Sequence, residues 1–458
     1  MKILLCYAPF CTPASPPYSL AYLHSFLKSN LDKENSIETI DLNLEFHKAK
    51  FNRYQKYYKS FNKDYNAEEY DKITKEFRQE SSYVYSKNNR LTVDNKKPDL
   101  FNELLKQITE KNPDIVAFSV VYSSQAFYTY AFCEELKKLG IKTIMGGPAV
   151  NSKIRNIAKY LENETELLKE IGNKESKAPD NAESKIAFPI IDFKVFNLKE
   201  YFSPSIVLPI KTSSSCYYRQ CTFCTHHNNK PYREYPLETI KQTIANSKQK
   251  YFFIIDDMLS KARLQEFGKA VKELDIIWMC QLKPGKEFDK DTLKELHDSG
   301  LRIIVWGVES GVDRILKLMK KGTNAKDIEY VLKASHDAGI QNVVYTMFGF
   351  PTETKEEFAH TIEFLKKNAE YIDLVSTSIF GLQKNTEIYN NPGKFGIEEI
   401  KEEQRDLLDE KIEYKVAKGM SNEDAKKMRK NYKNTLEKLN KLPKGMNFFR
   451  EHMLCLVL

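Results

Sequence analysis

Short apolar runs separated by amphipathic stretches shape the first third of the chain. Ile3 to Tyr7, Ile37 to Leu42, Asp114 to Val121 and Lys142 to Met145 each read as a strand, the last running into Gly146-Gly147-Pro148. Between them the pattern turns helical. Leu20, Leu23, Leu27 and Leu31 share one face of a helix predicted over Ser19 to Leu31, and a second helix from Ala126 to Leu139 closes at Gly140, a residue suited to the left-handed backbone of a helix end. Strands alternating with helices predict a parallel sheet covered on both faces. A stretch from about residue 48 to 100, rich in Lys and in Tyr (Tyr54, Tyr57, Tyr58, Tyr65, Tyr70), is helical in pattern but interrupts the alternation. It reads as an insertion, either a helix pair packed over the sheet or an aromatic substrate surface.

A polar segment from Asn173 to Ser184 predicts a boundary, dividing the chain into residues 1–184, 185–392 and 393–458. Alternation then resumes, with strands expected at Ile206 to Lys211, Tyr251 to Ile255, Ile276 to Gln281, Ile303 to Val308, Val343 to Phe348 and Leu374 to Phe380. Two units resemble each other: His297-Asp298-Ser299-Gly300-Leu301 is echoed by His336-Asp337-Ala338-Gly339-Ile340. Repeated helix, glycine stop and strand predict a barrel-like array of six β/α units, in which functional groups gather at the C-terminal strand ends. After Pro392 the sequence is rich in Lys and Glu and reads as helical, and the apolar tail Met453 to Leu458 is expected to dock as a terminal helix or strand.

Composition narrows the class. The chain has 458 residues, more than one hydrophobic core usually serves, with 41% hydrophobic and 29% charged residues. No apolar run is long enough to cross a bilayer and the N-terminus turns polar too early for a secretory signal, so a cytoplasmic protein is expected. The net charge of +8 comes from dispersed lysines, which predicts neither a nucleic-acid nor a membrane partner. Five of the eight cysteines, Cys6, Cys11, Cys133, Cys280 and Cys455, are scattered and form no disulfide framework.

The other three, Cys216, Cys221 and Cys224, stand within nine residues directly after a predicted strand. Thiolates so close can grip one soft metal centre together. Two centres suit them: a four-iron cluster with one iron left open for a ligand, or a structural zinc completed by His226 or His227. Carboxylates follow other strands, at Asp256, Asp257 and Glu309, the last between Gly307 and Gly311; a glycine-proline turn, Gly349-Phe350-Pro351, follows the fifth strand.

In order and context these motifs resemble those of radical S-adenosylmethionine (SAM) enzymes, and the N-terminal half is similar to the cobalamin-binding type of Rossmann domain that precedes the barrel in one branch of that superfamily. The resemblance covers roughly residues 1–392. It implies an α/β chain with a Rossmann-like parallel sheet, then a partial (β/α)6 TIM-like radical SAM barrel, then a helical C-terminal region. Four residues, Tyr217 to Gln220, separate the first two cysteines where three are usual, as in a subset of that branch.

By resemblance, Cys216, Cys221 and Cys224 hold a [4Fe-4S] cluster whose open iron takes SAM, and an electron delivered there splits a carbon–sulfur bond of SAM. Phe223 would lie near the adenine, Asp256 or Asp257 near the methionyl amino group, Glu309 near the ribose or amino group, and Gly349 and Pro351 beside the adenine. Their structural alternatives are loop packing for Phe223, an ordinary helix cap with Ser310 or Asp313 starting the next helix, and a simple turn at Gly349-Pro351. The usual Gly-Gly-Glu form is absent after the second strand.

No Asp-x-His-x-x-Gly motif is present, since the near matches at His297 and His336 fall at helix ends. Cobalamin is therefore expected without a histidine ligand, at the carboxyl ends of the first sheet, with Pro17, Tyr18, Ser119, Ser123, Gly146 and Gly147 as candidate contacts. The implied activity is a cobalamin-dependent methyltransferase acting on an unactivated carbon of a small-molecule or peptide substrate, with an electron donor such as flavodoxin or ferredoxin. Cyclisation, rearrangement or epimerisation on the same fold is the nearest alternative, and a non-catalytic zinc module the alternative of another class. No single catalytic residue is identified beyond these cofactor sets.

Overall fold

The computed structural model describes residues 1–61, 66–172, 188–226 and 231–456. The polar segment chosen as the first boundary therefore lies outside the described residues, as do Tyr65, His227 and the last two residues of the tail.

The first sheet is built by β1 (Lys2–Tyr7), β2 (Ser36–Asp41), β3 (Ile115–Ser119), β4 (Lys142–Gly146) and β5 (Lys159–Leu161). Its strands are all parallel, in the order β2-β1-β3-β4-β5. Central strands β1 and β3 are buried almost throughout, because helices cover both faces and leave no polar side to alternate with. The covering helices are α1 (Tyr18–Asn30), α2 (Leu42–Lys59), α3 (Ala67–Val93), α4 (Phe101–Thr109), α5 (Ala126–Lys138) and α6 (Glu164–Ile171). Gly140 closes α5 with φ +70°. The strand order reverses direction between β1 and β3, which opens a crevice at their carboxyl ends.

The second half begins with β6 (Val207–Ile210), then the short antiparallel pair β7 (Ser213–Ser214) and β8 (Arg233–Glu234), then α7 (Leu237–Ser247). It continues through β9 (Tyr251–Ile254), α8 (Lys261–Val271), β10 (Ile277–Leu282), α9 (Lys290–Asp298), β11 (Leu301–Glu309), α10 (Asp313–Leu318), α11 (Ala325–Asp337), β12 (Gln341–Phe348), α12 (Lys355–Lys367) and β13 (Leu374–Ile379). Strands β6, β9, β10, β11, β12 and β13 pair in that sequential order, all parallel, while β6 and β13 remain edges. The array is thus an open six-stranded arc. The echoed units place Gly300 (φ +101°) and Gly339 (φ +81°) between helix and strand, with His297 and His336 in the last turns of α9 and α11.

Alternation along these strands sorts their side chains into two cores. Leu208, Phe252, Trp278, Ile304 and Val344 face the outer helices. Val207, Phe253, Met279, Ile303 and Val343 face inward and join one hydrophobic cluster with Val116 and Phe118 of the first sheet. A closed barrel would fill its interior with its own side chains. Here the open side is covered by α2 and α3, through Tyr54, Tyr58, Tyr70 and Phe77, and by Met446, Phe449 and Met453 near the C-terminus. The tyrosine-rich insertion therefore packs as a helix pair, and Tyr54, Tyr58 and Tyr70 are core residues that line no open surface.

The C-terminal region departs from expectation in one place. After α13 (Glu387–Asn390), strands β14 (Ile397–Glu403) and β15 (Lys411–Val416) form an antiparallel hairpin inside the stretch read as helical. In β15 the sequence Lys411-Ile412-Glu413-Tyr414-Lys415-Val416 alternates strictly, a two-residue period that the high Lys and Glu content obscures. The rest of the region is helical, in α14 (Asn422–Asn431), α15 (Lys433–Lys438) and α16 (Glu451–Leu456), and the tail docks as that last helix. His452 of α16 pins it: Nε2 donates to the Phe202 carbonyl at 2.7 Å, so the neutral ring accepts at Nδ1 from the Tyr70 hydroxyl at 2.8 Å. No described helix is long and apolar enough to cross a membrane.

Candidate active site

The cysteine loop leaves the end of β6 and is clamped from below. Asp256, at the end of β9, is buried and accepts from the Thr212 amide (2.8 Å), the Thr212 hydroxyl (3.2 Å) and the Ser213 hydroxyl (2.5 Å). Arg263 of α8, also buried, donates to the carbonyls of Thr212 (2.8 Å) and Tyr235. Asp256 is thus engaged by the loop base. Burial pushes its carboxyl upward against these bonds.

Higher in the loop, Cys216 bridges to Met258 after β9. The Thr222 amide donates to the Met319 carbonyl (3.1 Å), its hydroxyl to Leu318 (3.1 Å), and its own carbonyl accepts from Ile388 (3.2 Å). Tyr218 donates to the Lys320 carbonyl (2.8 Å). A Cβ on Gly322 would lie 2.2 Å from that hydroxyl, so only glycine leaves room for the ring. The longer spacer between Cys216 and Cys221 supplies this tyrosine anchor. The end of β9, the end of α10 and helix α13 therefore hold one loop.

Within it the thiols are half-buried and mutually coupled. Burial raises Cys221 to about 11, helped by the charges of Cys224, Glu309 and Cys216; Cys224 is raised for the same first reason. Lys321 pulls the other way for both. This lysine, which no sequence motif singled out, is the central cation of the site. It is buried, and its Nζ donates to Glu309 Oε1 at 2.8 Å and lies 6.0 Å from the Phe223 ring centre. Desolvation would lower its pKa, but Glu309 and the two cysteines outweigh that and hold it above the usual lysine value. The signal available in the sequence was a charged pair, Lys320-Lys321, running into a glycine after a short apolar helix.

Glu309 ends β11 at φ +63°, just past a register shift at Gly307. A bulge of this kind re-aims a side chain, here toward Lys321. Ser310 bonds Thr361 and the Val312 amide, and the N-cap of α10 is Val312 with no side-chain cap bond, while Glu309 pairs with Lys321. Phe223 packs edge-on to Phe350, ring centres 6.4 Å apart. Asp257 pairs with His226 Nδ1 at 3.0 Å; burial raises its carboxyl, but His226 and Lys211 outweigh this and leave it below the usual range. Gly349 has φ +73°, its amide donates to Glu353, and a Cβ there would meet Ala425 of α14 at 2.7 Å. Its small size is thus used by helix packing, and Pro351 is buried in the same turn.

Among the described residues no three His, Cys, Asp or Glu side chains converge on a single-ion position. A compact zinc site through His226 would need such convergence, and that ring is turned to Asp257 instead. A polynuclear cluster accepts a wider spread of thiolates, and the pinned loop with a cation beside it suits an anionic iron–sulfur centre.

A cavity of about 460 Å³ opens between the carboxyl edge of the first sheet and the ends of β6 and β9. Pro17, Tyr18, Ser119, Gly146 and Gly147 line it, together with Pro209, Lys211 and Phe253 from the second sheet. Ser123 does not, because it opens a one-turn helix, Ser123–Gln125, that carries it past the rim. Gly147, at φ +119°, would place a Cβ 2.4 Å from the Val120 carbonyl, so only glycine lets this loop pack against the one that follows β3. The Tyr18 hydroxyl is buried without a hydrogen-bond partner, an orphan awaiting a polar ligand atom. No histidine is among the lining residues.

Residues 210–365, from the end of β6 through α12, match the family model of the radical SAM superfamily. That stretch is a radical SAM domain. Among curated relatives, an uncharacterized methyltransferase of Pyrococcus horikoshii is 23% identical over 330 residues, covering 63% of this chain and 72% of that protein. Further curated relatives match over less than half their own length. Among solved structures, the radical SAM methyltransferase TsrM from Kitasatospora setae, with cobalamin and a [4Fe-4S] cluster bound, superposes with a TM-score of 0.60 at 14% identity, covering 92% of this chain and 82% of that one. Apo OxsB, a cobalamin-dependent SAM radical enzyme, gives 0.62 at 14% identity, covering 99% and 71%. At these identities the likeness is one of fold, and it spans both sheets.

Proposed function

We propose that this radical SAM chain is a cobalamin-dependent methyltransferase acting on an unactivated carbon of a small molecule or peptide. One observation carries the reading: a single cavity joins the switch-point edge of the first sheet to the strand ends from which the cysteine loop departs. Nucleotide-like cofactors bind parallel sheets at such an edge, and barrel chemistry occurs at such strand ends. The superposed K. setae methyltransferase carries cobalamin and a cluster, and the P. horikoshii relative bears a methyltransferase name, which supports the assignment.

When bound, the cluster and SAM supply reductive carbon–sulfur cleavage and the corrinoid supplies a transferable methyl group, the division of labour usual for cofactor enzymes. Cys216, Cys221 and Cys224 would hold the cluster. Lys321 favours their deprotonated, metal-binding form and bonds one Glu309 oxygen, leaving the second to accept from a ligand hydroxyl or ammonium. Asp257 offers a second acceptor beside the loop. Tyr18 would offer an unused hydroxyl toward the corrinoid, and no histidine lines this cavity among the described residues. A corrinoid is bulkier than this open cavity and would extend through its mouth. An electron donor of the flavodoxin or ferredoxin class would reduce the cluster.

The test is anaerobic reconstitution with iron, sulfide and hydroxocobalamin. Corrin should stay with the protein through gel filtration, and dithionite plus SAM should yield S-adenosylhomocysteine as well as 5'-deoxyadenosine once a substrate is present. A protein that cleaves SAM but releases all corrin contradicts the methyltransferase assignment. C221A should abolish both products and the iron-dependent visible absorption.

A further inference from the structure

Arg450 stands just before α16, and its guanidinium enters the mouth of the arc of strands. Nη1 donates to Gln281 Oε1 on β10 (3.2 Å) and lies 3.3 Å from the Tyr345 hydroxyl on β12, while the group sits 5.4 Å from the centre of the Phe253 ring. Every one of these partners is neutral. No carboxylate among the described residues lies within 4.0 Å of it, although the side chain is largely removed from solvent and lines the cavity. A half-buried cation without a counter-ion is costly unless something supplies the missing charge.

The acidic groups on the cavity wall make no ion pair with it, although the charge of Glu451 acts on it from farther off. Asp41 caps α2 through the Leu44 amide and accepts from Tyr201, Glu164 accepts from Tyr22, Glu162 is exposed at the rim, and Glu451 stays beyond ion-pair distance. Lys211, at the end of β6, faces the same cavity and likewise makes no ion pair among the described residues. Around these two cations the wall is aromatic: Tyr18, Tyr122, Tyr235 and Phe253. A planar guanidinium with free donors matches a carboxylate or phosphate in a two-pronged fashion.

We propose that Arg450, aided by Lys211, is the receptor for an oxyanion on the substrate, which is therefore a small molecule with an apolar or aromatic body ending in a carboxylate or phosphate. The proposal rests on the methyltransferase reading of the cavity and adds the class of its substrate. It also explains why the C-terminal segment is held so firmly, since pinning α16 through His452 makes the preceding part of the chain project Arg450 into the site.

Two cofactors also carry oxyanions, the carboxylate of SAM and the phosphate of a corrinoid, so the experiment separates three sources. The cluster-reconstituted full chain is titrated calorimetrically with phenylacetate, phenyl phosphate and the neutral phenylacetamide, in wild type, R450Q and R450K, with SAM affinity and corrin retention measured on the same preparations. The wild type should bind both anions at least about tenfold more tightly than the amide, R450Q should lose that preference, and R450K should keep part of it, since a point charge replaces the fork. Equal binding of acid and amide by the wild type overturns the proposal, and that comparison needs no variant to fold. So does an R450Q protein that keeps its anion preference, or one that loses SAM affinity or corrin instead, which would give the oxyanion to a cofactor. Failure of the wild type to retain corrin would refute the proposed function by a separate readout from the anion titration.

Discussion

Removing the Lys321 ammonium tests the electrostatic frame of the site most directly. Lys321 and Glu309 meet at 2.8 Å with side chains only 5% and 16% exposed. At an effective dielectric of about 20 their attraction is about 6 kcal/mol, most of it offset by the desolvation of both groups. K321M cancels the attraction but leaves the Glu309 carboxylate buried, at a backbone position already strained at φ +63°. The expected loss is about 3–5 kcal/mol, the range for one partner removed from a buried pair. E309Q/K321M should recover at least half of it, because neither charge is then stranded. Urea denaturation of the apoprotein followed by tryptophan fluorescence is the assay. The chain has only two tryptophans, and Trp278 and Trp306 sit on neighbouring strands β10 and β11, so the signal reports on this sheet. Losses that simply add in the double variant would refute the idea that the two groups act as a pair.

Other consequences follow from the same contacts. G349A forces a Cβ to 2.7 Å from Ala425 at φ +73°, so it should destabilise the chain by about 1–3 kcal/mol, with an unchanged urea midpoint counting against the close helix contact. His452 is held neutral by burial, its pKa lowered to about 3. Its folded pKa lies below the unfolded one, so the unfolded chain takes the proton first and stability falls as pH drops from about 6.5 toward 3, by about 2 kcal/mol at pH 5. H452Q should lack that component, and identical pH profiles for variant and wild type would contradict it. D256N replaces one of the acceptor oxygens under the cysteine loop with a donor; iron bound per chain after reconstitution should fall, and full occupancy would show that the clamp is dispensable.

Much of this protein was legible in its sequence because the signals were local. Near-continuous apolar runs such as Lys2–Tyr7 and Ile115–Ser119 can be buried only in a sheet covered on both faces, so pattern alone predicted a parallel array. The nine-residue cysteine run announced itself, since a shared metal centre demands thiolates close in sequence or in space. The echoed helix, glycine and strand units located the arc for the same reason. The hairpin over Ile397–Val416 escaped because a charged surface strand and a charged helix look alike in composition.

What only the tertiary structure decided is which distant groups meet. Lys321 joins Glu309 and the cysteines across more than one element, Asp256 serves the loop base where a ligand contact was expected, and Gly349 makes way for a helix 76 positions later. The C-terminal helix closes the open side of the arc and places Arg450 in the cavity, more than 100 residues from the strands it touches. Spacing along a chain reports neighbours within one turn or one strand. Burial, ion pairing and the choice of which face is covered depend on pieces brought together by folding, and their physical chemistry exists only once that packing has formed.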